Sequence, residues 1–176
     1  GRGELGCEAL DITEVPGADD LACPEGVILE SEENTTELFG SRHSFYCTGG
    51  SSQCVKAMLH LAYLFRPEGT GNCILAARNA HKSFLHGCAL LGLEPRWLYP
   101  EAGTPLCSCP VSPAALERAL QTGERPFAVY ITSPDYLGGV QDIAALAEVC
   151  HRHGLPLLVD NAHGAYLKFL EPSRHP

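Results

Sequence analysis

Short apolar segments alternate with amphipathic segments along most of this chain, and this alternation is the feature that most constrains its fold. Strands and helices that alternate at this length are typical of a parallel sheet covered by helices on both faces. The sequence therefore predicts an α/β fold with a mostly parallel sheet. Strands are predicted at residues 44–47, 73–77, 95–99, 127–131 and 155–159.

Helices are predicted between these strands from apolar spacing and from their start and stop signals. In the segment from about Gln53 to Phe65, apolar residues recur at the i, i+3, i+4, i+7 positions of one helix face. Ser112 and Pro113 are typical of a helix start. The predicted helices are 27–39, about 53–65, from His81 to about 91, from 112 onward, and about 142–153.

Length, charge and cysteine content narrow the class of protein. The chain has 176 residues, of which 45% are hydrophobic, and this is enough to bury one domain's core. A formal net charge of −9 argues against a nucleic-acid partner. We see no membrane span or signal peptide. An odd count of 9 cysteines is unlike a disulfide framework, and Cys54, Cys73, Cys88 and Cys150 lie in apolar segments that predict buried free thiols and a reducing cytoplasm.

Polar groups follow the predicted strands. They are Gly50-Ser51-Ser52, His81, Ser133–Tyr136, and Asp160 with His163. Because the carboxyl ends of parallel strands meet at one edge of a sheet, we expect these groups to lie close together. The sequence therefore predicts a ligand site at that edge.

Each of these groups also has a purely structural interpretation. The glycine-serine turn that ends in Ser52 suits a phosphate, but such turns also begin many ordinary helices. His81 stands where a helix-capping residue would stand, and Asp160 could cap the segment that follows it. A metal is not expected. Asp160 and His163 lack a third ligand, and the spacings of Cys107-x-Cys109 and Cys150-His151-x-His153 do not match a zinc pair.

Four motifs, taken in their order, resemble a known family. They are 48–52 (Thr-Gly-Gly-Ser-Ser), 78–83 (Arg-Asn-Ala-His-Lys-Ser), 132–139 (Thr-Ser-Pro-Asp-Tyr-Leu-Gly-Gly) and 157–164 (Leu-Leu-Val-Asp-Asn-Ala-His-Gly). With the segment 10–26, they resemble the fold-type-I, pyridoxal-phosphate-dependent ornithine/lysine/arginine decarboxylases. Residues 1–26 are rich in Gly, Pro and acidic residues and are predicted to be irregular, and the resemblance implies a partial aminotransferase-like large domain over 27–176. It also implies a homodimer with residues 11–26 close to the interface.

The resemblance assigns roles to individual residues. Gly50, Ser51 and Ser52 match the cradle for the phosphate of pyridoxal 5′-phosphate, although the family commonly has Ser or Thr at position 50. His81 matches the residue that stacks on the pyridine ring, and Asp160 matches the carboxylate paired with the pyridine nitrogen. The two further matches are His163, beside the ring, and the loop of Ser133 and Tyr136, which lines the site.

The family's cofactor-anchoring lysine is the main departure. In the family it follows the aspartate strand in a Ser-x-His-Lys motif, and nothing after Asp160 matches that motif. Lys82 follows the stacking histidine instead and is expected to be a solvated lysine, while Lys168 lacks the flanking pattern. We therefore expect a truncated piece that lacks the anchoring lysine, the rest of the large domain and a small C-terminal domain, and that is inactive alone. The alternatives are another fold-type-I enzyme (aminotransferase, lyase or aldolase) acting on an amino acid, or a non-catalytic partner protein.

Overall fold

The computed structural model describes residue 15 and residues 17–170. The chain divides after Thr48 into two compact units. Residues 17–26 contain turns and bends without a helix or strand. The remainder of the predicted irregular segment 1–26 lies outside the described residues apart from Val15, so the division at residue 26 and the interface at 11–26 stay predictions.

The first unit contains helix α1, Val27–Phe39, with the predicted bounds. Its start is held by Asp19, whose carboxylate accepts hydrogen bonds from the backbone N–H groups of Glu25, Gly26 and Ile28. The bond from Glu25 makes the largest contribution to lowering the pKa of Asp19, to about 2. Gly40 ends the helix in the left-handed conformation, with a φ of 66°.

The predicted strand at 44–47 is wrong, because this segment is irregular. The backbone N–H of Tyr46 donates to the buried carboxylate of Glu32 at 2.7 Å. The Tyr46 hydroxyl lies against the hydroxyls of Ser31 and Thr35 on the same helix. Side chains of α1 thus take the place of a neighbouring strand as hydrogen-bond partners for this apolar run.

The second unit contains a four-stranded parallel sheet. The strands are β1 Cys73–Ala77, β2 Glu94–Leu98, β3 Val129–Thr132 and β4 Leu157–Asp160, in the order β2-β1-β3-β4. All four were predicted, with ends displaced by one or two residues where they differ. In the β3–β4 register Thr132 lies opposite Asp160, so both residues end at the same edge of the sheet.

Four α-helices accompany this sheet: α2 Gly50–Leu64, α3 Lys82–Leu91, α4 Pro113–Leu120 and α5 Ile143–Arg152. A short 3-10 helix, Ala165–Phe169, follows β4. Helix α2 begins earlier than the predicted Gln53. The side-chain carbonyl of Gln53 reaches back to accept the N–H of Gly49 at 2.8 Å, and this adds a turn at the start.

The sheet is buried on both faces, which confirms the predicted α/β arrangement. On one face the α2 and α3 residues Leu59 and Phe84 pack against Tyr130 of β3. On the other face the α4 and α5 residues Leu116 and Leu146 pack in the second cluster of buried residues.

The cysteines follow this packing with one exception. Cys73, Cys88 and Cys150 are buried as predicted, whereas Cys54 is exposed and that prediction is wrong. Cys54 lies ~100° around α2 from the buried Val55, because successive helical residues are separated by that angle.

Candidate active site

A cavity of about 270 Å³ lies where the loops after β1, β3 and β4 meet the start of α2. It brings together four of the predicted site residues and Tyr136 of the predicted loop. Its lining side chains are Ser51, Val55, Asn79, His81, Ser83, Thr132, Tyr136, Asp160, Ala162 and His163. The predicted convergence at the sheet edge therefore holds for these residues, although the turn before α2 follows no strand.

The start of α2 forms one wall of this cavity. Its N-cap, Gly49, has no side chain to cap the helix, and its first turn holds no acidic residue. Gly50 has a φ of 63°, and a Cβ added there would meet nothing within 4 Å. That conformation favours glycine over the Ser or Thr expected at this position. Backbone N–H groups at a helix start attract anions, and Ser51, which carries a hydroxyl, lines the cavity.

His81 is both a helix cap and part of the cavity wall. It is the N-cap of α3, and its Nδ1 accepts the backbone N–H of Ser83 at 3.2 Å. The Ser83 hydroxyl lies 2.8 Å from the same nitrogen. Capping thus fixes one edge of the imidazole while the ring lines the cavity. The two interpretations of His81 given by the sequence are compatible.

Asp160 ends β4 and is 7% exposed. Its Oδ2 accepts the hydroxyl of Tyr130 at 2.8 Å, and its Oδ1 accepts the N–H of Ala162 at 3.2 Å. Burial and then the charge of Asp160 raise the pKa of Tyr130, so its phenol stays protonated and donates. A carboxylate has about four acceptor positions, and capacity for a cationic or N–H ligand remains.

Sequence reasoning missed Tyr130. The signal that could have found Tyr130 is its place in β3. It lies two residues before Thr132, on the same face of the strand, and Thr132 lies opposite Asp160. That signal requires the strand register, which is not evident from the sequence.

The loop after β3 separates its two predicted residues. Tyr136 lines the cavity, and its ring centroid lies 5.1 Å from that of His163. Ser133 lies outside the lining of this cavity. Its hydroxyl accepts the N–H of Gln141 at 3.1 Å, and it lines a separate cavity with Val159.

Asp135 holds this loop in shape. Its Oδ1 accepts the N–H groups of Leu137 and Gly139, each at 2.8 Å, and its Oδ2 accepts the hydroxyl of Ser108. Burial opposes ionisation of this carboxyl, but the three hydrogen bonds outweigh it and lower its pKa. The ionised form therefore stabilises the loop that presents Tyr136.

Asn79 adds a buried polar group to the lining of the cavity. Its side-chain amide is buried, and neither amide atom has a hydrogen-bond partner in the described part of the chain. Buried amides are nearly always paired, so a polar group bound in the cavity would satisfy one that otherwise costs free energy. With the anion-attracting start of α2, the imidazoles and the Asp160 carboxylate, the lining suits a flat ring carrying an anionic group and an N–H. The pyridoxal phosphate implied by the family resemblance has these features.

No group of three or more metal-binding side chains occurs in residues 15 and 17–170. The thiol of Cys109 is buried and donates to the carbonyl of Leu98, and Nε2 of His153 is bonded to Glu117. Within the same residues, no helix is long and apolar enough to cross a bilayer.

Comparison with known proteins identifies relatives of this chain. A family model described as Orn/Lys/Arg decarboxylase, major domain, matches residues 7–174. The uncharacterized protein YaaO of Bacillus subtilis is 34% identical over 164 residues, which cover 93% of this chain and 33% of YaaO. The arginine decarboxylase of Halalkalibacterium halodurans is 30% identical over 164 residues, which cover 93% of this chain and 32% of that enzyme. The chain thus spans about a third of the length of these relatives.

A solved structure shares the fold. The crystal structure of Oryza sativa TDC with PLP superimposes with a TM-score of 0.67 and 18% identity, covering 98% of this chain and 42% of that one.

Proposed function

Because the chain belongs to the Orn/Lys/Arg decarboxylase family, we propose that it is the cofactor-binding portion of a pyridoxal-phosphate-dependent decarboxylase. The substrate class we propose is a basic amino acid: ornithine, lysine or arginine. The observation that carries this proposal is the meeting of the α2 start, His81 and Asp160 in one cavity. Each supplies a different kind of contact that one flat, phosphorylated ring requires.

The chain's own residues would divide the binding between them. Ser51 and the backbone N–H groups at the start of α2 hold the phosphate. The imidazole of His81 would lie against the ring. Asp160 holds a proton at the pyridine nitrogen. When bound, the protonated cofactor would supply an electron sink for decarboxylation.

Tyr130 supports Asp160 in this role. Its phenol donates to one carboxylate oxygen, and its raised pKa keeps that donor in place. A carboxylate held by two donors at the end of a strand is fixed in orientation and needs no rearrangement when the ligand binds.

The lining of the described cavity contains no lysine that could bind the cofactor covalently. The chain has three lysines, Lys56, Lys82 and Lys168, and the cavity lining includes none of them. We therefore propose that these 176 residues hold the cofactor without a covalent bond and do not turn over an amino acid. The chain can be mixed with an equal amount of cofactor and treated with borohydride, which would fix any imine bond to a lysine. The intact mass of the chain should remain unchanged. Stoichiometric labelling of Lys168, or amine formed from any of the three amino acids, would overturn this part of the proposal.

Cofactor binding is the direct test of the site. Titration of the chain with pyridoxal phosphate, followed by calorimetry, should show one site, and Asp160→Asn should weaken it about 10–100-fold, since a hydrogen bond to a charged group contributes ~1.5–3 kcal/mol. Asp142→Asn is the matched control, because Asp142 caps α5 away from the cavity. Absence of binding in the unmodified chain, or equal affinity for the two variants, would contradict the proposal.

We also propose a homodimer in a reducing, cytoplasmic setting. The dimer is supported by the family resemblance. The setting is supported by the buried thiols of Cys73, Cys88, Cys109 and Cys150, none of which forms a disulfide. Sedimentation of the chain with and without cofactor would test the assembly.

A further inference from the structure

We propose that Ser52 and Ser83 form a hydroxyl relay that orients the imidazole of His81, and that the Ser52 hydroxyl is thereby withheld from the ligand's phosphate. Ser52 and Ser83 are then positioning residues, and Ser51 alone supplies a serine hydroxyl to the phosphate. The phosphate part of this inference rests on the proposed function, whereas the relay can be tested on the chain without a ligand.

The relay begins at the imidazole. The backbone N–H of Ser83 can only donate, and it lies 3.2 Å from Nδ1 of His81. Nδ1 therefore carries a lone pair, and a neutral imidazole in this position holds its proton on Nε2. The backbone N–H and the hydroxyl of Ser83 together favour this tautomer of His81.

The direction of the next two hydrogen bonds follows from that tautomer. The Ser83 hydroxyl, 2.8 Å from Nδ1, faces an acceptor and must donate its single hydrogen. Its oxygen is then an acceptor for the hydroxyl of Ser52, 2.7 Å away. The hydrogens all point one way, from Ser52 to Ser83 to His81.

This order commits the only hydroxyl hydrogen of Ser52. A phosphate is an acceptor, so a serine side chain helps it only by donating. Ser52 cannot donate to Ser83 and to a phosphate at once. The positions agree with this conclusion, because Ser51 lines the cavity while Ser52 lies outside its lining.

The burial of Ser83 makes the loss of a hydrogen bond in the relay costly. Ser83 is 3% exposed, so water cannot readily replace a lost partner. The relay joins the start of α2 to the start of α3, because Ser52 and Ser83 are 31 positions apart in the chain. Loss of either hydroxyl should free the imidazole to change tautomer or tilt.

Long-range proton–nitrogen NMR of the ¹⁵N-histidine-labelled chain tests the relay without any ligand. We expect His81 to show the Nε2–H tautomer, and Ser83→Ala and Ser52→Ala to shift its nitrogen signals toward a mixture of tautomers. Ser51→Ala is the matched control and should leave them unchanged. Ser52 stands in the first turn of α2, so its variant keeps the test valid if Ser83→Ala does not fold. A dominant Nδ1–H tautomer in the unmodified chain, or signals unmoved by both variants, would overturn the relay.

The affinities for pyridoxal phosphate and pyridoxal test the phosphate part. Ser51→Ala should lower the ratio of the two affinities about tenfold, the worth of one hydrogen bond of ~1.4 kcal/mol. Ser52→Ala should weaken both ligands alike and leave the ratio unchanged. A fall in the ratio for Ser52→Ala as large as that for Ser51→Ala would overturn the assignment. If the unmodified chain binds neither ligand, the proposed function fails, and the NMR result still decides the relay.

Discussion

At the scale of the residue, the contact between Tyr130 and Asp160 joins the core to the candidate site. Tyr130 is fully buried, and its ring packs 4.4 Å from that of Phe84. Its hydroxyl is the polar end of an otherwise apolar side chain and reaches the carboxylate that lines the cavity. The side chain thus fills the core and satisfies Asp160 at the same time.

Tyr130→Phe separates these two contributions. The ring and its packing remain, but Asp160 loses a buried donor, so the free energy of unfolding at pH 7 should fall by ~1–3 kcal/mol. Urea denaturation measures this change. Tyr63→Phe is the matched control, because Tyr63 packs edge-on against Phe127 at the same core cluster and should change stability less. An equal loss for the two variants would contradict the role given to Tyr130.

At the scale of the element, the loop 133–139 depends on one ionised side chain. Asp135 accepts two backbone N–H groups of its own loop and the hydroxyl of Ser108. A Cβ on Gly139 would lie 2.7 Å from Asp135 Oδ2, so the loop is closed tightly around the carboxylate. The position of Tyr136 in the cavity wall follows from this local arrangement.

Acid should loosen this loop. Because the pKa of Asp135 is lowered on folding, its ionised form stabilises the folded chain above the carboxyl's ordinary pKa, and this contribution is lost as the pH falls through the folded pKa. Amide hydrogen exchange at Leu137 and Gly139 should therefore show less protection at about pH 3 than at about pH 6, after correction for the intrinsic exchange rate. Asp135→Asn should show reduced protection at both pH values. Equal protection of the unmodified loop at both would contradict this account.

At the scale of the whole molecule, one buried thiol in each core cluster can be used to measure the packing on that face of the sheet. Cys88 packs in the core cluster beneath α2 and α3, and Cys150 packs in the cluster beneath α4 and α5. Burial raises the pKa of each thiol to about 11. The thiolate, which is the reactive form, is therefore scarce at neutral pH on both faces.

Alkylation should follow this burial. In the folded chain, iodoacetamide should modify the exposed Cys23 and Cys107 well before Cys88 and Cys150, and the buried pair should react only on unfolding. Peptide mass spectrometry after short labelling pulses along a urea series measures the order. Reaction of Cys150 as fast as Cys107 in the absence of urea would show that the α4–α5 face is not packed as described.

Local pattern was enough to predict most elements. Helix α1 and the four strands follow from periodicity and from start and stop residues within each segment. The segment 44–47 misled the prediction because its strand-like composition is satisfied by Glu32 of the preceding helix rather than by a strand. Cys54 misled it because one position along a helix decides between burial and exposure.

The site was predicted in part for the same reason. Ser51, His81, Asp160 and His163 belong to motifs that are visible in the sequence, and they line one cavity. Asn79 and Ser83 lie in one of those motifs, but the sequence did not mark them as site residues. The burial of the Asn79 amide and the hydrogen bond of the Ser83 hydroxyl are visible only in the structure. Ser133 lies in another motif and lines a separate cavity.

The sequence by itself determined the α/β alternation, the family and the residues that gather at the sheet edge. These depend on local spacing and residue type, which the chain carries from end to end. Only the tertiary structure decided that the hydroxyl of Tyr130 meets the carboxylate of Asp160, and that the hydroxyl of Ser52 lies beside that of Ser83. Each pair is separated by 30 or 31 positions along the chain, and a hydrogen bond of less than 3 Å between them exists only once the sheet and its helices are packed.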